Sequence, residues 1–333
     1  MKTRAICIGL SALIGTAAAC GNEPTAASAL YQKHCQQCHG SQRLGGMGPA
    51  LLPENLQRLN RKSAAKVILE GRPATQMPGF SQVLSNADTE QLVNFIYRPP
   101  VETPQWSARE IAATQKDFFP KKQLSSSPVF TADPLNLFIV VEQGDHHATV
   151  LDGDTFDPIH RFKTHYALHG GPKYTSDGRF VYFASRDGWI SKFDLYNLKT
   201  VAEVRAGINT RNIAVSSDGK IVAVANYLPH SLVFLNAEDL SLIDLITVKA
   251  EKSNRSSRVS AVYNAPPRNS FIAALKDIAE VWEIPYKNLR PRRIQCQDFL
   301  DDFFFDPSYR YLIGTSRDNQ PTASKSTPPT HTH

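Results

Sequence analysis

The chain predicts two domains of different class, a small all-α domain followed by an all-β propeller. Three observations carry this. Residues 31–40 read YQKHCQQCHG, a Cys-x-x-Cys-His motif with helix-compatible flanks. From about residue 129, short β-branched and aromatic runs alternate with Asp-Gly and Pro turns. Within that stretch VLDGDTFDPI at 150, KFDLYNLKTV at 192 and FLNAEDLSLI at 234 start 42 residues apart, while SDG recurs at 176 and 217. A period near 40 with about four strands per unit marks a β-propeller.

The first element is a targeting segment. MKTRAICIGLSALIGTAAAC carries Lys2 and Arg4, an apolar run from Ala5 to Ile14, then Ala17, Ala18 and Ala19. Residues 1–19 are the expected signal peptide, too short to span a membrane, and the expected location is the periplasm. Cys20 before Gly21 offers a lipid acceptor, but Ala17 stands where a lipobox usually has Leu; membrane attachment is expected only if Cys20 is lipidated. Cys7 leaves with the signal, and Cys296 reads as a buried small hydrophobe.

Residues 26–98 form the expected helical domain. Two thiols three apart can each add to a haem vinyl group, and a histidine directly after the second is held beneath the iron. Cys35, Cys38 and His39 therefore read as a covalent haem c site with His39 as axial ligand. A thioredoxin-like pair or half a zinc site are the alternatives, but neither needs His39 and no second Cys pair completes a zinc set. Met77, in the Gly- and Pro-rich GRPATQMPGF, is the expected second iron ligand, because Met47 in LGGMGP lies only eight residues past His39. In LSNADTEQLVNFIYRPP, Ser85 caps a helix with Asp88 three on, Leu92, Val93 and Ile96 share a face, and Pro99 stops it. With these features residues 26–98 resemble a class I cytochrome c. Residues 99–128 read as a linker with one short helix around Ser107 to Phe118.

Residues 129–318 are the expected propeller, with LFIVVEQ at 137, RFVYFASR at 179, KIVAVANY at 220, SFIAALK at 270 and RYLIGTSR at 310 as strands. Each SDG turn is expected to join an innermost strand to the next one out. Aligned on it, His169 of YALHGG falls beside Thr210 and Arg211 of GINTRN. At the far end of the second strand, seven residues after Arg179, Lys220 and Arg310, stand Arg186, Tyr227 and Arg317. One imidazole ringed by guanidinium and phenol groups suits a planar polycarboxylate metal macrocycle, the imidazole for the metal and the guanidinium forks for the carboxylates. The competing structural reading pairs such arginines with turn aspartates, as Arg186 with Asp187.

The architecture, and the segments VVEQGDHHATVLDGDTF, HYALHGGPKYTSDGRFVYFASRDGWISKFDLYNLK and GINTRNIAVSSDGK, resemble the cytochrome cd1 nitrite reductases and, more closely, their NirN-type paralogues, from about residue 28 to about 318. The resemblance implies that His169 is the axial ligand of haem d1 or its dihydro precursor, bound non-covalently, and that Arg186, Arg211 and Tyr227 face its periphery. It implies an oxidoreductase of haem d1 maturation that oxidises a propionate of dihydro-haem d1 to an acrylate and passes electrons out through haem c to a periplasmic acceptor. Its expected company is the haem d1 biosynthesis proteins and nitrite reductase. The matching position for the reductase's distal histidine falls at or near Pro266, which cannot donate a proton. His146 and His147 of GDHHAT are the candidate catalytic groups, although a solvated turn is the commoner fate of such residues. Carrying haem d1 without transforming it, and nitrite reduction, are the other two functions considered.

Removing residues 1–19 takes Lys2 and Arg4 with it and lowers the net charge from +6 to +4. That excess suits docking to acidic redox partners, and no basic stripe interleaved with aromatics points to nucleic acid. At the observed period residues 128–320 supply four to five blades, whereas the family's propeller has eight. The last residues, 319–333, lack apolar side chains larger than Ala or Pro and read as a disordered tail. The resulting expectation is a C-terminally truncated propeller; the alternative is a small propeller closing on four or five blades.

Overall fold

The computed structural model describes residues 25–316 and 321–325, apart from 74, 120, 252 and 254. The expected signal peptide, Cys20 and Arg317 lie outside the described residues. No helix among those described is long and apolar enough to cross a membrane.

The N-terminal domain contains α1 (Ala26–His34), α2 (Gln36–His39), α3 (Pro53–Leu56), α4 (Arg61–Glu70) and α5 (Asn86–Ile96). Side-chain caps start the longer ones. Thr25 accepts from the Ser28 amide and Asn60 from the Ser63 amide, while Ser85 and Asp88 form a reciprocal capping box. Tyr31, Leu56, Ala64, Ile68, Leu84, Leu92, Val93 and Ile96 make the core. Tyr31 donates through its hydroxyl to the Gly40 carbonyl at 2.7 Å, tying α1 to the turn that follows His39.

Residues 99–128 connect the domains but are not a free spacer. α6 (Ala108–Thr114) is capped by Ser107 and Glu110, and Ile111 is fully buried in the core of the second domain. Trp106 donates from Nε1 to the Arg205 carbonyl at 2.8 Å. β1 (Lys116–Asp117) then joins the edge of a sheet. Burying Trp106 and Ile111 supplies the hydrophobic stabilisation, ~1.5–3 kcal/mol for a fully buried large side chain, that a polar linker lacks.

The second domain is a series of five antiparallel sheets, each a meander. β2 (Leu137–Glu142), β3 (His147–Asp152) and β4 (Pro158–Lys163) form the first. β5 (Lys173–Tyr174), β6 (Phe180–Ala184), β7 (Trp189–Asp194) and β8 (Lys199–Arg205) follow, with β1 paired outside β8. The third holds β9 (Asn209–Val215), β10 (Ile221–Leu228), β11 (Ser231–Asn236) and β12 (Leu242–Thr247). The fourth holds β13 (Val259–Ala265), β14 (Ser270–Leu275), β15 (Glu280–Pro285) and β16 (Arg292–Gln295), and the fifth β17 (Leu300–Phe305), β18 (Tyr311–Ser316) and β19 (Pro321–Lys325).

The strands expected at 137, 179, 220, 270 and 310 are β2, β6, β10, β14 and β18. β9 packs beside β5 and β13, and β13 beside β17, so the first strand of successive sheets lines the axis as in a propeller. Between sheets lie alternating faces of Val, Ile, Leu and Phe, such as Val204, Ile213, Val222 and Leu235 in one layer and Phe234, Val262, Phe271 and Trp282 in the next. The expected disordered tail is corrected in part: 321–325 pair with β18, because a sheet edge offers backbone groups that a Thr- and Ser-rich segment can satisfy without apolar side chains.

The SDG turns close one end of the inner hairpins. At the opposite end stand the β2–β3, β6–β7 and β10–β11 turns and the segments entering β5, β9 and β13. The N-terminal helical domain covers this second end. Ala50 and Leu52 pack on Ile208 and Leu228, all at most 3% exposed. Arg205, buried over the Trp106 ring at 4.7 Å, donates from Nη2 to the Leu44 carbonyl and from Nε to the Asp187 carbonyl.

Candidate functional site

In the cytochrome domain Cys35 and Cys38 are free, half-buried thiols at the start and within the short α2. Burial, and then the neighbouring Cys38, push the Cys35 thiol up to about 11. His39 is buried, and burial lowers its pKa, so the ring is neutral. The Pro49 carbonyl lies 2.8 Å from Nδ1; a carbonyl can only accept, so Nδ1 carries the proton and Nε2 keeps its lone pair. A Cβ on Gly48 would stand 2.8 Å from the His39 ring, so glycine lets the backbone lie against the imidazole. Two adjacent thiols and a neutral imidazole with a free Nε2 fit a covalently attached haem. No three His, Cys, Asp or Glu side chains converge as a bare-ion site among the described residues. Met77 is half-buried on the loop after α4, its carbonyl accepting from the Arg72 amide at 3.0 Å, whereas Met47 is 56% exposed.

Part of the ring expected on the propeller comes together. His169 and Arg211 meet across adjacent sheets: the Arg211 carbonyl is 2.8 Å from His169 Nδ1, and Arg211 Nη1 is 2.6 Å from His169 Nε2. A guanidinium can only donate, so Nε2 accepts and the proton sits on Nδ1. Burial, then the Arg186 charge, with Arg211 and Arg58 adding to it, pull the His169 pKa down to about 4. The imidazole is therefore neutral, with its Nε2 lone pair on the side of the cationic cluster. The Arg211 guanidinium lies 5.9 Å from the Tyr227 ring centroid, and Arg258 and Lys276 each lie 5.5 Å from it. Thr210, also expected here, instead turns inward to Asn226, its hydroxyl donating to Oδ1 at 2.6 Å.

The structural alternative for Arg186 fails among the described residues. Asp187 accepts from the Ser185 hydroxyl rather than from Arg186, is 1% exposed, and leaves Oδ2 without a partner; burial raises its pKa. The Asp-Gly turn itself is demanded by packing. Gly188 has φ +93°, and a Cβ there would come within 1.9 Å of the Gly207 carbonyl oxygen.

His146 and His147 part ways. His147 begins β3, half-buried, with Nδ1 3.0 Å from the Asp145 carbonyl. His146 is not in a solvated turn: it is 8% exposed, holds φ +62°, and stands edge-on to Tyr166 at 5.1 Å. Its Nδ1 has no partner among the described residues, and burial lowers its pKa. The Asp187 charge bears on both His146 and Tyr166, and that of Arg72 in the cytochrome domain reaches Tyr166.

The inference drawn from Pro266 is corrected. It opens the 3-10 turn between β13 and β14, at the SDG end of the hairpin. His169, Arg211 and Tyr227 stand at the other end, so Pro266 does not replace a residue of the ring. Sequence reading also missed Arg58, Tyr166, Arg258 and Lys276. Of these, Lys276 ends SFIAALK seven residues after Asn269, the spacing that located Arg186 and Tyr227, so the repeat held that signal. Arg58 and Tyr166 had none.

The family described as Cytochrome D1 heme domain matches residues 132–328, well over half of the chain. The chain belongs to the cytochrome D1 heme domain family. The match extends past residue 318, consistent with strand β19 lying in the propeller. A second family, described as Cytochrome C oxidase, cbb3-type, subunit III, matches residues 22–96, the helical domain. Among curated relatives, the Dihydro-heme d1 dehydrogenase of Pseudomonas aeruginosa is 58% identical over 94% of this chain and 64% of its own length. The Nitrite reductase of Stutzerimonas stutzeri is 24% identical over 87% of this chain and 56% of its own length. The solved structure of Dihydro-heme d1 dehydrogenase NirN in complex with DHE superposes with a TM-score of 0.86 at 57% identity, covering 90% of this chain and 65% of that one. The chain thus spans just under two thirds of the length of the dehydrogenase and a smaller share of the nitrite reductase.

Proposed function

We propose that the chain is a periplasmic oxidoreductase of haem d1 maturation that oxidises dihydro-haem d1, turning a propionate side chain into an acrylate. The observation that carries this reading is the neutral His169 imidazole set among Arg186, Arg211 and Tyr227 on the propeller end covered by the Cys35–Cys38–His39 domain. A ring of this kind fits the macrocycle's carboxylates, and His169 Nε2 is the group that would meet its iron. Arg211, whose guanidinium donates to that nitrogen, would pair with a carboxylate where the iron takes the nitrogen.

Forming the acrylate breaks two C–H bonds on adjacent carbons and releases two protons and two electrons. His146 is the better proton acceptor of the two candidates: neutral, with a free Nδ1, against Tyr166 and near the unpartnered oxygen of Asp187. His147 is spent on Asp145. Cys35, Cys38, His39 and Met77 would hold haem c, which supplies one-electron relay to a soluble acceptor. The 24% identical nitrite reductase and the 58% identical dehydrogenase support a place in the haem d1 and nitrite reductase system. The test is anaerobic incubation with dihydro-haem d1 and an electron acceptor, followed by extraction and mass measurement. The reading requires a product lighter by two hydrogens; bound macrocycle recovered unchanged would make the chain a carrier.

A further inference from the structure

The propeller's ring is not made of propeller residues alone. Residues 50–58 of the cytochrome domain form a docked edge. Ala50 and Leu52 are buried on Ile208 and Leu228, α3 follows, and Gln57 Oε1 accepts from Arg258 Nη1 at 3.4 Å. Arg258 in turn lies over Tyr227. Arg58 comes next in the chain, exposed at this seam, and its charge acts on His169, Arg186 and Tyr227 together.

The charge arrangement asks for an anion. Several arginines have carboxylates, Arg179 with Asp194, Arg161 with Glu142, Arg268 and Arg292 with Glu283 and, at this seam, Arg258 with Asp277, and the buried Arg43 and Arg205 are satisfied by backbone carbonyls. No such pair is formed by Arg58, Arg186 or Arg211 among the described residues. Arg186 is partly buried, and burial and then the repulsion of Arg211 and Arg58 all work against its charge. Three guanidiniums held near one another without a carboxylate are stabilised when a multivalent anion enters between them.

We propose that Arg58 binds a carboxylate of the macrocycle, so that the binding site is composed across the interface between the two domains. This rests on the propeller ring being the macrocycle site. It gives the docking of the cytochrome domain a second role: besides bringing haem c close, it closes a three-arginine clamp over the ligand's rim.

The probe is haem d1 released from a cytochrome cd1, titrated optically into the full holo-chain. Arg58→Ala should weaken binding about tenfold, in the range of one solvent-accessible charge-assisted hydrogen bond. Arg58→Lys should recover part of the loss and Arg58→Glu should lose more. Lys66→Ala, which removes an exposed charge from α4, should bind as wild type does. Esterifying the macrocycle's carboxylates should erase the difference between wild type and Arg58→Ala. Arg58→Ala binding as tightly as Lys66→Ala overturns the inference, provided that His169→Ala and Arg186→Ala bind weakly. If those two also bind like wild type, the ring is not the site, and the proposed function fails with it.

Discussion

Arg205→Met isolates one of the contacts that fasten the two domains. The substitution keeps an apolar stem of similar length and deletes the guanidinium. In the folded chain that group is 8% exposed, donates to the Asp187 carbonyl at 2.8 Å and to the Leu44 carbonyl, and covers Trp106. Only the Leu44 bond crosses between domains. A hydrogen bond from a charged donor contributes ~1.5–3 kcal/mol, which at ~1.4 kcal/mol per tenfold multiplies the undocked population by roughly 10 to 150. The reporter is a cysteine at Ala50, 1% exposed in the docked state and bare in the undocked one. Under conditions where reclosing outruns modification, the thiol-labelling rate follows the open fraction. Labelling of Ala50→Cys should therefore accelerate about 10- to 150-fold when Arg205→Met is added, with the covalent haem spectrum unchanged. Equal rates with and without the guanidinium would refute the docking role assigned to Arg205.

Two further outcomes follow from single side chains. Met77→Ala should abolish the weak near-infrared sulfur-to-iron band of the oxidised protein and lower the haem c potential, since thioether ligation favours the reduced state; persistence of the band would transfer the role to Met47 or another residue. Burial pushes the Glu283 carboxyl up, but hydrogen bonds from Arg268 and Arg292 outweigh it and hold the pKa below the ordinary 4.5. A depressed pKa contributes stability that is full above the unfolded value and fades as pH falls through the folded one. Acid unfolding followed by circular dichroism should thus be less steep below pH ~4.5 in Glu283→Gln than in wild type, and identical pH profiles would contradict the assignment.

What the sequence made legible was what repeats or stands close in the chain. Strand positions followed from β-branched runs between turns, and the His169–Arg211 contact followed from register, because equivalent residues of neighbouring blades must face each other. The capping boxes at Ser85 and Ser107 are three-residue signals, readable locally. Contacts between domains were illegible: nothing in LGGMGP says that the Leu44 carbonyl accepts from an arginine 161 residues away. Trp106 and Ile111 are two of six large apolar residues scattered without a regular period through residues 99–128, yet their burial converts a linker into a docked strap. His146 and His147 are identical as letters, and a left-handed φ at His146 sends one inward and leaves the other at the strand edge. Pro266 misled because matching letters along the chain does not tell which end of a hairpin a turn closes.

The claim that His169 and its ring of cations form the macrocycle site meets its most direct test in one optical titration, haem d1 added to the holo-chain and to His169→Ala. The account predicts a macrocycle spectrum of imidazole-ligated iron in the wild type, weaker binding with a shifted spectrum in His169→Ala, and return of the wild-type bands when free imidazole is added to the variant. Identical affinity and identical spectra in the two proteins would contradict it.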